Sequence, residues 1–293
     1  MTLHGIIPPI VTPMQANEDL DLPRLRKLID QMLAKGVHGI FVLGTTSEFY
    51  ALDDAEKQAV IATAVEHVNK RCPVMAGTGA ESTRETIRIT KIAQREGVDA
   101  VSVITPYYIM PTQAEITDHY RRVADSTSLP VMLYSNPSTC GGLKIEADTV
   151  ARLAEVPNIA GIKDSSGDLQ GLIEFVRVAP PKFAVFQGRD TLIAPALQYG
   201  AKGAVPGTCN VAPEMCVGIY DAFRRGDHET ARAIQSKLSP LRLGLAIGTA
   251  PGAIKAAMNL LGMEVGPSRS PIAPLSPDKQ EKLRAILKSM GLI

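Results

Sequence analysis

Charge of one sign is what this chain most plainly lacks. Its 31 basic and 30 acidic side chains leave a formal net charge of +1 over 293 residues, so there is no electrostatic footprint for nucleic acid or an anionic membrane. Long apolar runs are missing too: none approaches the roughly 20 residues a membrane span needs. The opening MTLHGIIPPIVTP has no basic region ahead of a long apolar one and is broken by Pro8, Pro9 and Pro13. It does not read as a signal peptide, and we expect a cytoplasmic protein. Cys72, Cys140, Cys209 and Cys216 show no CxxC spacing and in a reducing compartment are expected as free thiols. The five histidines (His4, His38, His67, His119, His228) are scattered without paired ligand spacing, which disfavours a metal-dependent aldolase or hydrolase. GxGxxG and the P-loop pattern are absent, and the glycines at 77–79 and 203–207 are too sparse for a phosphate cradle. That weakens a role for pyridoxal phosphate. The expected partner is a small molecule, with no cofactor and no metal.

What is present is alternation. Short apolar runs at 5–11, 39–44, 73–77, 100–105, 130–135, 159–163, 183–187 and 203–207 read as strands, and helix-like stretches follow the first seven. One of these carries Leu25, Leu28, Ile29, Met32 and Leu33 on a single face, another covers 53–68, and a third opens on Ser82-x-x-Glu85, a capping-box signature. Strands that are apolar throughout imply a parallel sheet covered on both faces or closed on itself. An eighth helix at 213–224 completes eight strand and helix pairs, which fit a closed (β/α)8 barrel better than an open sheet. After Arg224-Arg225-Gly226 the strands stop, and helical stretches follow at about 227–241, 251–262 and 276–290. The expected fold is therefore α/β: a (β/α)8 TIM barrel over 1–224 with a C-terminal helical domain, a three-helix appendage, over 225–293.

In a barrel of this kind chemistry sits where strands meet the loops that follow them. Four polar clusters fall there: Gly44-Thr45-Thr46-Ser47-Glu48, Tyr107-Tyr108, Tyr134-Ser135-Asn136-Pro137, and Lys163 within GIKDSSGD. A buried strand rarely ends on lysine without a reason, because an ammonium taken out of water either pairs or loses its proton. A neutral amine there can attack a ketone and form an imine. The protonated imine then draws electrons from the adjacent carbon–carbon bond, and a nearby tyrosine and a threonine hydroxyl can relay protons. A 2-oxo acid would also need its carboxylate held, which the N–H groups and hydroxyls of GTTSE can do. Each cluster has a plainer use: Lys163 can run out to solvent, Asp168 can cap the next helix, the tyrosines can pack at a rim, and GTTSE can be a simple turn. Four such clusters at four strand ends argue together for one pocket.

Taken in order and spacing, GTTSE, TPYY, YSNP and GIKDSSGD resemble the dihydrodipicolinate synthase / N-acetylneuraminate lyase family of pyruvate-dependent class I aldolases. The resemblance runs from GIIPPIVTP through GAVPGTCNVAP to KAAMNLLG, nearly the whole chain. It implies a barrel with a C-terminal helical domain, assembled as a homotetramer of two tight dimers. By motif position it makes Lys163 the Schiff-base lysine for pyruvate or a 2-oxo acid and Tyr134 the central acid and base. Thr45 would relay protons, Thr46 would hold the pyruvate carboxylate, Tyr108 would reach into a neighbouring subunit's site, and the Val205 carbonyl would line the pocket.

Departures from the family pattern bear on the substrate. The synthases carry an arginine after the tyrosine, in a pattern like YNVPxRTG, that holds the carboxylate of aspartate semialdehyde; here Thr139 stands in its place. A site without that guanidinium should bind such a substrate poorly. Ser165 places a hydroxyl in the lysine motif, as the sialic acid lyases do with threonine. Arg189 and Asp190 resemble the region that contacts the sugar chain in those lyases, with Arg189 a candidate replacement for the missing arginine. The expectation is a Schiff-base lyase or aldolase that cleaves or condenses a 2-keto-3-deoxy sugar acid or similar hydroxylated 2-oxo acid, with a dehydratase variant of the same chemistry also open. The alternatives are a 4-hydroxy-tetrahydrodipicolinate synthase that condenses pyruvate with aspartate semialdehyde, and a non-catalytic 2-oxo-acid-binding paralogue.

Overall fold

The computed structural model describes residues 3–293. Eight strands, β1 (Gly5–Ile6), β2 (Ile40–Val42), β3 (Val74–Gly77), β4 (Ala100–Ile104), β5 (Val131–Ser135), β6 (Ile159–Asp164), β7 (Ala184–Gln187) and β8 (Gly203–Ala204), pair in parallel in the order β1-β8-β7-β6-β5-β4-β3-β2. The two ends of that order meet. Phe41 N donates to Pro8 O at 3.1 Å and Ile10 N to Phe41 O at 3.0 Å, which closes the sheet into a barrel.

The first and last strands are shorter than the apolar runs at 5–11 and 203–207 that predict them. Pro8, Pro9 and Pro206 have no N–H to give to a ladder, so regular pairing stops at Ile6 and Ala204. The six inner strands fall within two residues of their predicted ends. Apart from Gly77 and Ala160 their residues are all buried, on both faces, which is why they read as largely apolar runs.

Helices α1 (Leu22–Ala34), α2 (Asp54–Val68), α3 (Thr83–Arg95), α4 (Gln113–Asp125), α5 (Ala147–Leu153), α6 (Leu169–Val178), α7 (Ile193–Gln198) and α8 (Pro213–Arg224) form the outer ring. Asp53, Thr112 and Asp168 cap their helices by accepting from N–H groups three residues on, so the plainer role foreseen for Asp168 is one it does fill. Ser82 caps α3 through Glu85 N, but the reciprocal half of the box is missing because the Glu85 carboxylate turns to Arg88 Nε at 2.9 Å. A guanidinium three residues along outcompetes a neutral backbone N–H for that carboxylate.

Two cores result. Ile7, Phe41, Met75, Met132, Phe186 and Val205 are among the side chains that fill the barrel axis, and a larger shell lies between strands and helices, with Leu25, Leu28, Ile29 and Met32 of α1 buried in it. Leu33 is only partly buried beside them. A C-terminal helical domain follows, with α9 (His228–Gly244), α10 (Gly252–Leu260) and α11 (Pro277–Ser289). No helix among the described residues is long and apolar enough to cross a membrane.

Candidate active site

The pairing of β5 with β6 decides what faces what. Tyr134 lies opposite Lys163, and Ser135 opposite Asp164, after a register shift between Val131 and Met132. Neighbouring residues of a strand point to opposite faces, so Lys163 and Tyr134 share the inner face while Asp164 points away. Ser166 Oγ donates to Asp164 Oδ2 at 2.7 Å on that outer side, where burial raises the Asp164 carboxyl above its ordinary range. Lys163 is 3% exposed, and its Nζ lies 3.8 Å from the centre of the Tyr134 ring and 5.1 Å from that of Phe41. The amine faces aromatic surface rather than a carboxylate.

A short hydroxyl chain leads away from it. Tyr134 Oη stands 3.3 Å from Thr45 Oγ1 and accepts from Asn136 Nδ2 at 3.1 Å. With Asn136 donating, the Tyr134 proton is free to point toward Thr45 or toward a bound molecule. Thr45 opens a single 3-10 turn, Thr45–Ser47, that follows β2. The first N–H groups of such a turn have no acceptor within it, and Thr45 and Thr46 occupy those positions. Ser47 Oγ donates to Ile10 O, and Thr12 Oγ1 donates to Ser47 O at 2.7 Å, tying the turn to the barrel rim.

Lys163, Tyr134 and Thr45 open into a cavity of about 180 Å³. Its polar lining includes Asn136, Ser138, Thr139, Ser165, Arg189, Asp190 and Arg242, and Leu245 and Ile254 reach it from the C-terminal domain. Ser165 is held by its backbone N–H, which donates to Ser135 O at 2.8 Å, and lies so close to Gly188 that a Cβ there would meet Ser165 Oγ at 2.0 Å. Thr139 Oγ1 bonds weakly to Asn136 O at 3.3 Å.

The structure thus gathers Lys163, Tyr134, Thr45, Thr139, Ser165, Arg189 and Asp190 around one space. Thr46 and Val205 are not among its lining residues: Thr46 is half-buried on the same turn, and Val205 lies buried in the axial core. Tyr108 stands apart, 93% exposed and with a backbone φ of +75°, a left-handed conformation that is rare for a bulky residue. Asp190 reaches the cavity with its oxygens already committed. Oδ1 accepts from Thr208 N and Thr208 Oγ1, both at 2.6 Å, and Oδ2 lies 3.3 Å from Arg242 Nε.

Arg242 carries no signal in the sequence, whereas Asn136 falls in the polar cluster at the end of β5 with no role of its own assigned there. Asn136 sits inside the quoted YSNP and could have been found as the polar neighbour of Tyr134. Arg242 lies near the end of α9 with no local signal, and only the folding of that helix over the barrel mouth brings it to Asp190. Arg189 makes no ion pair among the described residues; its N–H donates to Gln187 Oε1 at 2.7 Å, and its side chain lies over Gly167. No group of three or more His, Cys, Asp or Glu is placed to hold a metal ion among the described residues.

A buried amine on an aromatic wall, with a phenol and an alcohol in contact beside it and two arginines lining the same cavity, can form an imine with an anionic carbonyl compound and move protons at the carbon next to it. Known proteins share this arrangement of chain. Residues 2–290 match the Dihydrodipicolinate synthetase family. An uncharacterized DapA-like lyase of Halobacterium salinarum is 40% identical over 99% of this chain and 95% of its own. A 4-hydroxy-tetrahydrodipicolinate synthase of Thermodesulfovibrio yellowstonii is 40% identical over 99% of each chain. Among solved structures, the chloride-inhibited dihydrodipicolinate synthase of Acinetobacter baumannii complexed with pyruvate superposes over the full length of both chains with a TM-score of 0.96 and 35% identity. The chain is a member of the dihydrodipicolinate synthetase family and a lyase of the class I, Schiff-base kind.

Proposed function

We propose that the protein joins pyruvate, held as an imine on Lys163, to aspartate semialdehyde, the reaction of a 4-hydroxy-tetrahydrodipicolinate synthase. The relatives of that name support it. The observation that carries the choice of aldehyde is the pair Arg189 and Arg242 on one cavity. An aldehyde that brings its own carboxylate needs a cationic partner, whereas the neutral polyol aldehyde released from a 2-keto-3-deoxy sugar acid does not. This reading displaces the expectation drawn from Thr139: the guanidinium missing from the loop after β5 is supplied from β7 and α9.

In this reading the Lys163 amine attacks the ketone carbon of pyruvate, and the ketone oxygen leaves as water. The methyl carbon gives up a proton to form an enamine, and that carbon attacks the aldehyde, whose oxygen takes a proton. Tyr134 moves these protons and exchanges them through Thr45, while Thr46 and the N–H groups of its turn hold the pyruvate carboxylate, with the Val205 carbonyl beyond. Arg189 and Arg242 receive the second carboxylate. Asp190 orients Arg242 and does not contact substrate. Tyr108, too exposed to serve its own site, completes the relay in a second copy within a cytoplasmic homotetramer.

A second reading rests on Ser138, Thr139 and Ser165, a row of hydroxyls that suits a hydroxylated acceptor and hence cleavage of a sugar-derived 2-oxo acid. Borohydride reduction with pyruvate, intact mass and peptide mapping test the shared chemistry, with the adduct expected on Lys163 and absent from Lys163→Ala. Consumption of aspartate semialdehyde with pyruvate supports the synthase. Pyruvate release from a 2-keto-3-deoxy sugar acid, with the semialdehyde ignored, supports the second reading, and no adduct in folded protein overturns both.

A further inference from the structure

The turn that carries Thr45 and Thr46 is gripped from behind by charge. Leu43 enters it at φ +56° and Glu48 leaves it at φ +60°; neither is glycine, so the surroundings must impose the shape. Gly77 makes the entry possible, because a Cβ there would lie 1.9 Å from Leu43 O. At the exit the Glu48 side chain is wholly buried, with Oε1 2.6 Å from Nζ of Lys255 on α10, a side chain only 1% exposed. Glu48 Oε2 accepts from Arg269 N at 2.8 Å, and Lys255 Nζ also donates to Pro267 O at 2.7 Å. The Arg269 guanidinium continues the path, pairing with Glu56 on α2 at 2.7 Å and bonding Ala51 O at 2.8 Å.

An ion pair this deep is a poor way to add stability, since apolar side chains of the same volume often do as well. What it does supply is direction. A carboxylate paired with Lys255 at one oxygen and accepting from Arg269 N at the other restricts the orientation of the turn behind it, and that turn sets Thr45 Oγ1 opposite Tyr134. We infer that Glu48 and Lys255 are positioning residues for the carboxylate end of the active site, so that the C-terminal domain sets the geometry of a turn on the barrel. The inference rests on the role proposed above for Thr45 and Thr46.

Lys255→Met removes the charge at nearly constant volume. The pyruvate concentration giving half-maximal borohydride adduct on Lys163 is expected to rise about tenfold, a change of roughly 1.4 kcal/mol. Exchange of the pyruvate methyl protons with solvent is expected to slow by at least as much. The double variant Glu48→Gln/Lys255→Met removes both charges and keeps an acceptor for Arg269 N; with no unpaired charge left buried, its thermal stability should recover toward wild type, while both readouts stay shifted by about tenfold because the pair that fixes the turn is gone. Lower thermal stability with both readouts unchanged overturns the inference and leaves the pair as packing; so does a double variant whose readouts return to those of the wild type. If Lys255→Met fails to fold, Glu48→Gln alone serves, with loss of pyruvate affinity expected and an unchanged affinity overturning the inference. A wild-type chain without adduct overturns the proposed function and this inference together, whereas a normal wild type beside an unaffected variant overturns this inference only.

Discussion

Tyr134→Phe tests the proton path most directly, because it deletes one oxygen and leaves the ring that faces Lys163. That ring, 3.8 Å from Nζ at its centre, stays in place, so equilibrium formation of the pyruvate imine should survive. Turnover should fall by about 10²- to 10⁴-fold, the usual worth of a positioned general acid or base, or roughly 3–5 kcal/mol of barrel-centred catalysis. Stability should drop as well: Asn136 Nδ2, on a residue 7% exposed, loses the acceptor it holds at 3.1 Å, which costs about 1–3 kcal/mol for a buried donor left unpaired. Thr45→Val cuts the chain one link further on, at the 3.3 Å contact, and should cost less, roughly 10- to 10²-fold. Because the two hydroxyls act in series, the double variant should be no slower than Tyr134→Phe alone. The assay is borohydride-trapped adduct at saturating pyruvate beside steady-state turnover, with thermal melts to separate the stability cost. Turnover of Tyr134→Phe within about threefold of wild type, or fully multiplicative losses in the double variant, would refute the relay.

Arg189→Ala and Arg242→Gln should each raise KM for aspartate semialdehyde by about tenfold or more and leave pyruvate trapping unchanged, as expected for groups that meet only the second substrate; equal effects on both substrates would return them to a structural role. Gly188→Ala places a methyl 2.0 Å from Ser165 Oγ and 2.8 Å from Asp164 O, so we expect about 1–3 kcal/mol of destabilisation in a denaturant melt together with altered turnover. Burial pushes His119 down to about 4 from its ordinary 6.5. Between those two values the unfolded chain binds a proton that the folded one refuses, so stability is lost as pH falls through that window, by about 3 kcal/mol when complete. His119→Gln should flatten that part of a stability-versus-pH curve, and an unaltered slope would remove His119 as its source.

Much of the barrel is legible in sequence because its strands are buried on both faces and its helices on one, so each leaves its own period. The misreadings have local causes: prolines shorten β1 and β8, and Arg88 takes the carboxylate that would complete the box at Ser82. Lys163, Tyr134 and Thr45 are legible because each stands at the end of an otherwise apolar run. The partners of Asp190 were not legible, because Thr208 and Arg242 are distant from it in the chain. The same distance hid Arg242, one of the two charges on which the proposed choice of aldehyde rests. Buried Lys255 illustrates the limit: in sequence it is one more basic residue on a helix, and only packing reveals its single carboxylate partner.

The pairing of β1 with β8 has a consequence for synthesis. Gly5 lies beside Gly203, and Val11 N donates to the Asn210 side chain 199 positions later at 3.0 Å. The opening segment therefore leaves the ribosome long before the strand that completes it. At about 5–20 residues per second that interval lasts roughly 10–40 s, during which Ile6, Ile7, Ile10 and Val11, all buried in the finished barrel, lack one of their two neighbours. The strands from β2 to β7 can meet in the order they emerge. The nascent N-terminus cannot, and it is the stretch on which a holding chaperone would have the longest opportunity to act.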